Sequence, residues 1–454
     1  MSQPEIFAVT GKPVAHSLSP EIFRLLFSSA GRDGVYTRLA ADSAREALEI
    51  ARAIGLRGLN VTSPFKEEMM SLVDGLDEHA AKIGAVNCVR LDERHATGYD
   101  TDFIGLIGTL ESLGKSPAGL TALVLGTGGA ARAAAYGLTK AGAARVILAS
   151  RSQEKAEAAA QVLSCDWAPL KDAPAILARV DICVSCLPFP ASRVLPVSPR
   201  KGNSAVEAPY AGAPHGAIII DAHYASAPGA PQGPNRGNQS FPAALRWLFH
   251  QAVPSFEILT GVKVDESLKR KAWDGFASRK ARIKRHLALV GFMGAGKTTT
   301  GRQLARLLGR EFVDTDETIS AVAGMSIPEI FELRGESSFR SLEKSVIDKI
   351  VPAEGRRKVI SVGGGAILDE ENRRILSQNC RVVWLWAPAG TAVSRIEAAT
   401  RPILDADRPL ESAERTLAAR LPLYAAVSDL IVNASGGSPL DIARRIQDEM
   451  DQAL

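Results

Sequence analysis

The sequence predicts an α/β protein of several domains, built on parallel sheets flanked by helices. Three observations predict it. The chain has 454 residues, more than one compact core readily holds. Short apolar runs alternate with helical stretches, the pattern of βα units. Two glycine-rich loops, in "VLGTGGAARAA" and "GFMGAGKTTTG", each follow an apolar strand and open a helix. Hydrophobic residues at 46% and charged residues at 23% are ordinary for a soluble globular chain. No apolar run reaches the roughly 20 residues a bilayer span needs. "MSQPEIFAVTG" lacks the basic and apolar regions of a secretory signal, so a cytoplasmic protein with no membrane partner is expected.

"IFAVTG" reads as a strand. "SPEIFRLLFSSAG" reads as a helix with Ser19 as N-cap, Pro20 at its first position and Gly31 past its end. "GLRGLNVTSPFK" is a strand running into a polar turn. Further on, "TALVLG", "ARVILASRS" and "DICVSCL" read as strands separated by the helices "GAARAAAYGLTKAG" and "SQEKAEAAAQVL". Residues 196–216 and 225–241, rich in Pro, Gly, Ser and Asn, read as loops around the strand "GAIIIDAHY". "FPAALRWLFHQAVPSFEILTG" is a helix ending at Gly261. The basic stretch "LKRKAWDGFASRKARIKRH" reads as a solvated linker helix; a net charge of only +4 gives little support to a nucleic-acid partner. "LALVGF" then opens a fresh domain. The domains expected are 1–105 completed by 240–263, 106–239, a linker 264–286, and 287–454.

The five cysteines are scattered and odd in number, which argues against a disulfide framework. Cys183 and Cys186 form a CxxC inside an apparent buried strand, where positions three apart face opposite ways. They are expected neither to bridge nor to share a metal.

"GFMGAGKTT" fits the phosphate-loop pattern G-x-x-x-x-G-K-[ST] in the strand-to-helix context that gives it meaning. Gly291, Gly294, Ala295, Gly296 and Thr299 shape a loop whose backbone amides and helix N-terminus favour phosphate. Lys297 would reach the β- and γ-phosphates of ATP, and Thr298 would offer a hydroxyl to Mg²⁺. Downstream, "FVDTDETI" places Asp314 and Asp316 at a strand end. "GESSFRSLE" carries Arg340 and Glu343, "SVGGGA" carries Gly363, Gly364 and Gly365, "RPIL" carries Arg401 and "RLPLY" carries Arg420. In this order, over 287–454, the motifs closely resemble shikimate kinase. The resemblance implies that Asp314 supports Mg²⁺ and that Asp316 grips ring hydroxyls and orients the attacking one. It implies that Arg340 and Arg420 clamp the substrate carboxylate and that Gly363–Gly365 pack against the ring. Arg401, on a lid of roughly 397–410, would close over ATP, as phosphoryl transfer requires.

Residues 1–263 suggest a dinucleotide enzyme. The cluster with Gly126, Gly128, Gly129 and Ala130 joins a strand to a helix. The next strand ends at Ser150-Arg151-Ser152, about 25 residues on, where ribose recognition is expected. Arg151, with Lys155 one turn later, suits a 2′-phosphate, so NADP(H) is favoured over NAD. "HSLSP" offers Ser17 and Ser19; "NVTSPFK" offers Asn60, Thr62 and Lys66; "GAVN" offers Asn87; "GYDTDFIG" offers Thr101 and Asp102. Tyr224 and Gln251 come later. These hydroxyls and amides suit a polyhydroxylated ligand. In this order, over about 5–263, the motifs resemble shikimate dehydrogenase. The resemblance implies reduction of 3-dehydroshikimate to shikimate, with Lys66 and Asp102 as the catalytic pair. Ser17, Ser19, Asn60, Thr62, Asn87, Thr101, Tyr224 and Gln251 would hold substrate.

The chain departs from that family's pattern at Asp100, where Asn is common, and on the cofactor side at Ser150, Ser185, Leu187, Ala244 and Arg246. The reading is a bifunctional enzyme whose small-molecule substrates are 3-dehydroshikimate and shikimate. Two alternatives stand beside it: a kinase carrying a non-catalytic shikimate-binding module, or a first half that also uses quinate. Channelling between the halves does not follow from fusion alone.

Overall fold

A computed structural model describes residues 4–196, 210, 213–214, 217–222, 242–279, 284–351, 355–396, 405 and 407–451. Its strands, in chain order, are β1 (Glu5–Gly11), β2 (Gly34–Ala40), β3 (Gly58–Val61), β4 (Gly75–Leu76), β5 (Cys88–Leu91), β6 (Ala96–Tyr99), β7 (Thr121–Leu125) and β8 (Arg145–Ser150). They continue with β9 (Asp166–Pro169), β10 (Ile182–Ser185), β11 (Ile218–Asp221), β12 (His286–Val290), β13 (Glu311–Asp314), β14 (Lys358–Ser361), β15 (Cys380–Trp386) and β16 (Leu430–Asn433). The chain forms two compact units that are not contiguous in sequence. One comprises Met1–Pro20, Asp33–Arg57 and Ala281–Leu454; the other comprises Glu21–Arg32 and Gly58–Lys280.

In the first unit the strands run β13-β14-β12-β15-β16-β2-β1, and every pairing is parallel. Such strands are covered on both faces and so read as unbroken apolar runs rather than alternating ones. "HLALV" of β12 is buried throughout. The core joins distant parts of the chain: Val9, Val14 and Ala40 pack in one cluster with Leu287, Leu289, Val383, Val432 and Ile446.

In the second unit, β3-β5 and β5-β6 are antiparallel and β6-β4 parallel. A separate five-stranded sheet of order β11-β10-β7-β8-β9 is parallel throughout. Its central β7 delivers the chain into the first glycine loop and the helix Gly129–Lys140. The basic stretch forms the helix Glu266–Ala277. It is not the free solvated linker that its charge suggested. Ala272 and Phe276 are fully buried, and Trp273 packs edge-on to Phe249 at 5.1 Å. The charges ride on an amphipathic helix docked within this unit. Among the described residues, no helix is long and apolar enough to cross a membrane.

Candidate active sites

In the second unit, Lys66 and Asp102 form an ion pair. Their side chains are only 15% and 10% exposed. Lys66 stands in the turn after β3, which Phe65 anchors with 3% exposure. Asp102 occupies the first turn of the helix Asp102–Ser112, where the helix dipole favours a carboxylate. Burial alone would push the lysine pKa down, but the carboxylates of Asp102 and Asp100 outweigh it and hold Lys66 above the ordinary lysine value. The lysine therefore keeps its proton.

A buried polar network fixes the pair. Asn87 Nδ2 donates to Asp102 Oδ1 at 2.8 Å and to Thr101 Oγ1 at 3.0 Å. The Thr101 amide donates back to Asn87 Oδ1 at 2.8 Å. Gln251 Oε1 lies 3.3 Å from Thr101 Oγ1. Asn60 Nδ2 donates to Ser255 Oγ at 3.1 Å, and Ser255 Oγ meets Thr101 Oγ1 at 2.8 Å. Trp247 Nε1 donates to the Asp102 carbonyl at 2.8 Å. Six predicted residues (Asn60, Lys66, Asn87, Thr101, Asp102 and Gln251) are thus brought together. Thr62 is half-buried at the start of the lysine turn, its carbonyl accepting from the Phe65 amide at 3.1 Å. Ser255 and Trp247 were missed. Ser255 lies four residues after Gln251 on the same helix, so helical spacing offered a signal.

Asp100 is 3% exposed. Its Oδ1 accepts from the Asp102 amide at 2.9 Å, while Oδ2 is buried with no hydrogen-bond partner. Burial, reinforced by Asp102, pushes its pKa well above the carboxylate range. Asp100 therefore holds a proton more tightly than an ordinary carboxyl group does.

The first glycine loop approaches this cluster directly. A Cβ on Gly129 would stand 2.9 Å from Ala85 Cβ and 3.2 Å from Lys66 Cβ, so only glycine lets the helix start lie against the lysine. Gly128 caps that helix with open space beside it, Ala130 follows half-buried in the first turn, and Gly126 has φ 113°. Beyond β8, Ser150 Oγ accepts from the Ser152 amide at 3.2 Å, and Ser152 caps the helix Gln153–Leu163 by accepting from the Lys155 amide. Arg151 and Lys155 are exposed. Of the cofactor-side departures, Ser185 and Ala244 are buried and Leu187 packs into the apolar core. Arg246 is 4% exposed and stacks on Trp273 at 5.1 Å, so it serves packing against the basic helix. Among the described residues the cysteines, Cys183 and Cys186 included, are free.

In the first unit, one cleft of about 470 Å³ is lined by Lys297, Thr298, Asp316, Arg340, Gly363–Gly365 and Arg420. β12 feeds the second glycine loop, and Gly294 has φ 75° with a would-be Cβ 2.2 Å from the Ala392 carbonyl oxygen; any side chain there would collide. Lys297 Nζ donates to the Gly291 and Phe292 carbonyls at 3.0 Å each. Gly296 caps the helix Lys297–Leu308, and Thr299 Oγ1 donates to its carbonyl at 3.0 Å. Ala295 is wholly buried, so its side chain serves the core. Thr298 Oγ1 donates to Asp314 Oδ2 at 2.7 Å, and Asp314 Oδ1 accepts from the Asp316 amide at 2.9 Å.

Arg340 follows a break in the helix Ile327–Ile350 at Gly335. It donates to Glu343 at 2.8 Å and to Glu336 at 3.0 Å. Glu343, 1% exposed, carries a pKa pushed up to about 7 by burial, against the pull of Arg340. Arg420 and Tyr424 hold the glycine turn through the Gly364 carbonyl at 3.2 and 2.6 Å. A Cβ on Gly365 would meet Arg340 Nη1 at 2.5 Å. Arg395, which also lines the cleft, was missed, because nothing local marks it.

Ser17 and Ser19 belong to the first unit. They are buried, with their hydroxyls 3.2 Å apart. Tyr224, Arg401 and most of the expected lid lie outside the described residues.

Three family models match the chain: shikimate dehydrogenase substrate binding domain at 9–89, shikimate / quinate 5-dehydrogenase at 110–195, and shikimate kinase at 293–451. A shikimate kinase of Halorhodospira halophila is 43% identical over 166 residues, which is 36% of this chain and 93% of the relative. A shikimate dehydrogenase (NADP(+)) of Syntrophobacter fumaroxidans is 42% identical over 190 residues, 40% of this chain and 64% of the relative. The crystal structure of shikimate dehydrogenase from Aquifex aeolicus matches at 30% identity with a TM-score of 0.48, over 60% of this chain and 97% of that one. The chain belongs to the shikimate kinase family through its C-terminal part, and its N-terminal part carries shikimate dehydrogenase domains.

Proposed function

We propose that the chain catalyses two consecutive reactions of aromatic biosynthesis: NADPH-dependent reduction of 3-dehydroshikimate to shikimate, then ATP-dependent phosphorylation of shikimate. The observation that supports this most directly is a separate polar cluster in each unit. One holds a protonated buried lysine against a glycine loop; the other sets a phosphate-loop lysine and two arginines around one cleft.

In the dehydrogenase reaction the reduced dinucleotide, when bound, supplies the hydride. The tight Gly126–Gly129 turn and the helix start behind it fit a pyrophosphate, and exposed Arg151 and Lys155 fit a 2′-phosphate. Lys66 gives its Nζ proton to the substrate ketone oxygen as that oxygen gains charge. Asp102 keeps Lys66 charged and aimed, and Asn87 and Thr101 keep Asp102 in place. Ser17 and Ser19 grip the substrate carboxylate, while Asn60, Thr62, Gln251 and Tyr224 complete the hold on its ring.

In the kinase reaction Arg340 and Arg420 take the substrate carboxylate, a task suited to planar guanidinium groups. Asp316 orients the attacking hydroxyl. Lys297 exchanges its two carbonyl partners for phosphate oxygens. Thr298 and Asp314 are hard oxygen donors that fit Mg²⁺, which neutralises phosphate charge when bound. Arg401 would close the site.

Lys66→Ala is expected to abolish NADPH oxidation with 3-dehydroshikimate and leave shikimate phosphorylation intact. Lys297→Ala is expected to do the reverse. Steady NADPH oxidation by Lys66→Ala would sink the assignment.

A further inference from the structure

The turn that carries Ser17 and Ser19 is held by the last helix of the chain. Glu449, in the helix Pro439–Asp451, is 4% exposed. Its Oε2 accepts from the backbone amides of Val14 and Ala15, at 2.8 Å each. Val14 and Ala15 are buried as well. The Val14 carbonyl in turn accepts from the Ser17 amide at 3.0 Å. From the other side, Arg38 Nε and Nη2 donate to the Ser17 carbonyl at 2.9 and 2.5 Å, and its Nη1 reaches the Asp429 carbonyl at 3.4 Å.

These contacts belong to a longer seam within the first unit. β2 pairs with β16 through Leu39↔Ile431 and Ala40↔Val432. Thr37 Oγ1 donates to the Ser428 carbonyl at 2.9 Å, and Asn433 Nδ2 donates to Glu46 at 2.7 Å. Arg445 pairs with Asp42 and Glu46. A buried carboxylate is costly unless its lone pairs are satisfied. Here two successive amides satisfy one of its oxygens, so the carboxylate and the turn fix one another.

We infer that Glu449 is a positioning residue for the dehydrogenase reaction: through the Val14 and Ala15 amides it sets the turn that presents the Ser17 and Ser19 hydroxyls to the substrate carboxylate. A residue inside the stretch matched by the shikimate kinase model thereby serves the other reaction. The inference rests on the reading of Ser17 and Ser19 as substrate grips. It requires no motion and no exchange of shikimate between reactions.

The test uses the full-length enzyme and steady-state kinetics of both reactions. Glu449→Ala should raise KM for 3-dehydroshikimate about tenfold, the scale of a slightly misplaced grip. Dehydrogenase kcat should stay within about twofold, and kinase kcat and both kinase KM values should be unchanged. Glu449→Gln, whose amide oxygen still accepts from both amides, should recover most of the affinity. An unchanged dehydroshikimate KM in Glu449→Ala would overturn the inference, as would a matching loss of both turnovers, which marks a general fold defect. Ser17→Ala, measured in parallel, separates the two readings. If it raises KM and Glu449→Ala does not, the inference alone fails; if Ser17→Ala leaves KM unmoved, the assignment of the serine fails.

Discussion

Replacing Asp102 by Asn removes one charge from a buried pair while keeping shape and the oxygen that accepts from Asn87. Its effect follows from the forces on Lys66. Burial pulls the lysine pKa down, and Asp102 is the largest influence raising it. Two unit charges about 4 Å apart at an effective dielectric near 20 interact by about 4 kcal/mol. Losing the carboxylate removes the largest influence that holds the Lys66 pKa up, so the lysine gives up its proton at lower pH. The reactive form is protonated Lys66, present below its pKa and lost above it. The alkaline limb of kcat/KM for NADPH-dependent ketone reduction should therefore move to lower pH by about one pH unit or more. The assay is NADPH oxidation followed by absorbance from about pH 6 to about pH 11.5, a range that passes the ordinary lysine value near 10.4. Kinase turnover in the same preparation checks that the chain is folded. An alkaline limb that stays in place with measurable turnover would refute the reasoning. So would complete inactivity at every pH with kinase turnover intact, because Asp102 would then take part in the chemistry itself.

Three further predictions concern other groups of the two sites. Asp100→Asn should leave dehydrogenase kcat/KM within about threefold at neutral pH, because the amide keeps the oxygen that accepts from the Asp102 amide and burial already disfavours the charge it removes. Its folded-state pKa is raised, so wild-type stability falls as pH rises through and above the unfolded value near 4; thermal melts should show Asp100→Asn gaining on wild type over that range, and a gain that shrinks with pH would contradict it. Glu343 ionises at about 7 and holds Arg340 only when charged, so kinase KM for shikimate should rise several-fold as pH falls from about 8 to about 6. Glu343→Gln should show a high KM with little pH dependence, and a KM profile unchanged from wild type would dismiss the role. The double change Arg151→Ala and Lys155→Ala should raise KM for NADPH about tenfold and leave KM for NADH unmoved; equal effects on both cofactors would show that the 2′-phosphate is bound elsewhere.

What the sequence made legible was local. Ser19, Pro20 and Gly31 bracket a helix observed at Ser19–Ala30, and Gly261 ends another in the left-handed conformation expected of a cap. Both glycine loops lie between strand and helix, because the residues that force those turns are contiguous. The amphipathic face of the basic helix was also readable, since Trp273 and Phe276 are three apart, but the density of lysine and arginine masked it. Partners distant in sequence were not legible. Ser255 meets Thr101 across 154 positions, and its identity carries no trace of that contact. Asp100 is the clearest case: a carboxylate in the sequence counts as a charge, and only its buried surroundings raise its pKa.

The seam between β2 and β16 carries this point furthest. A parallel strand left at the edge of a sheet exposes a row of unpaired amides and carbonyls. β16 would be such an edge in a unit made from residues 281–454 alone, as β2 would be in a segment made from the first 57 residues. Pairing them covers both edges and extends one parallel sheet with strands from opposite ends of the chain. β16 reads as an ordinary buried strand, and the polar residues of β2 name no partner, so periodicity gives no sign of which neighbour either takes. Motif order places Ser17 with one reaction and Glu449 with the other. The hydrogen bonds place the Ser17 turn and Glu449 in one buried network. A truncation at 287 that preserves every kinase motif would therefore remove β1 and β2 from the kinase sheet, uncover β16 and strip Glu449 of both its amides.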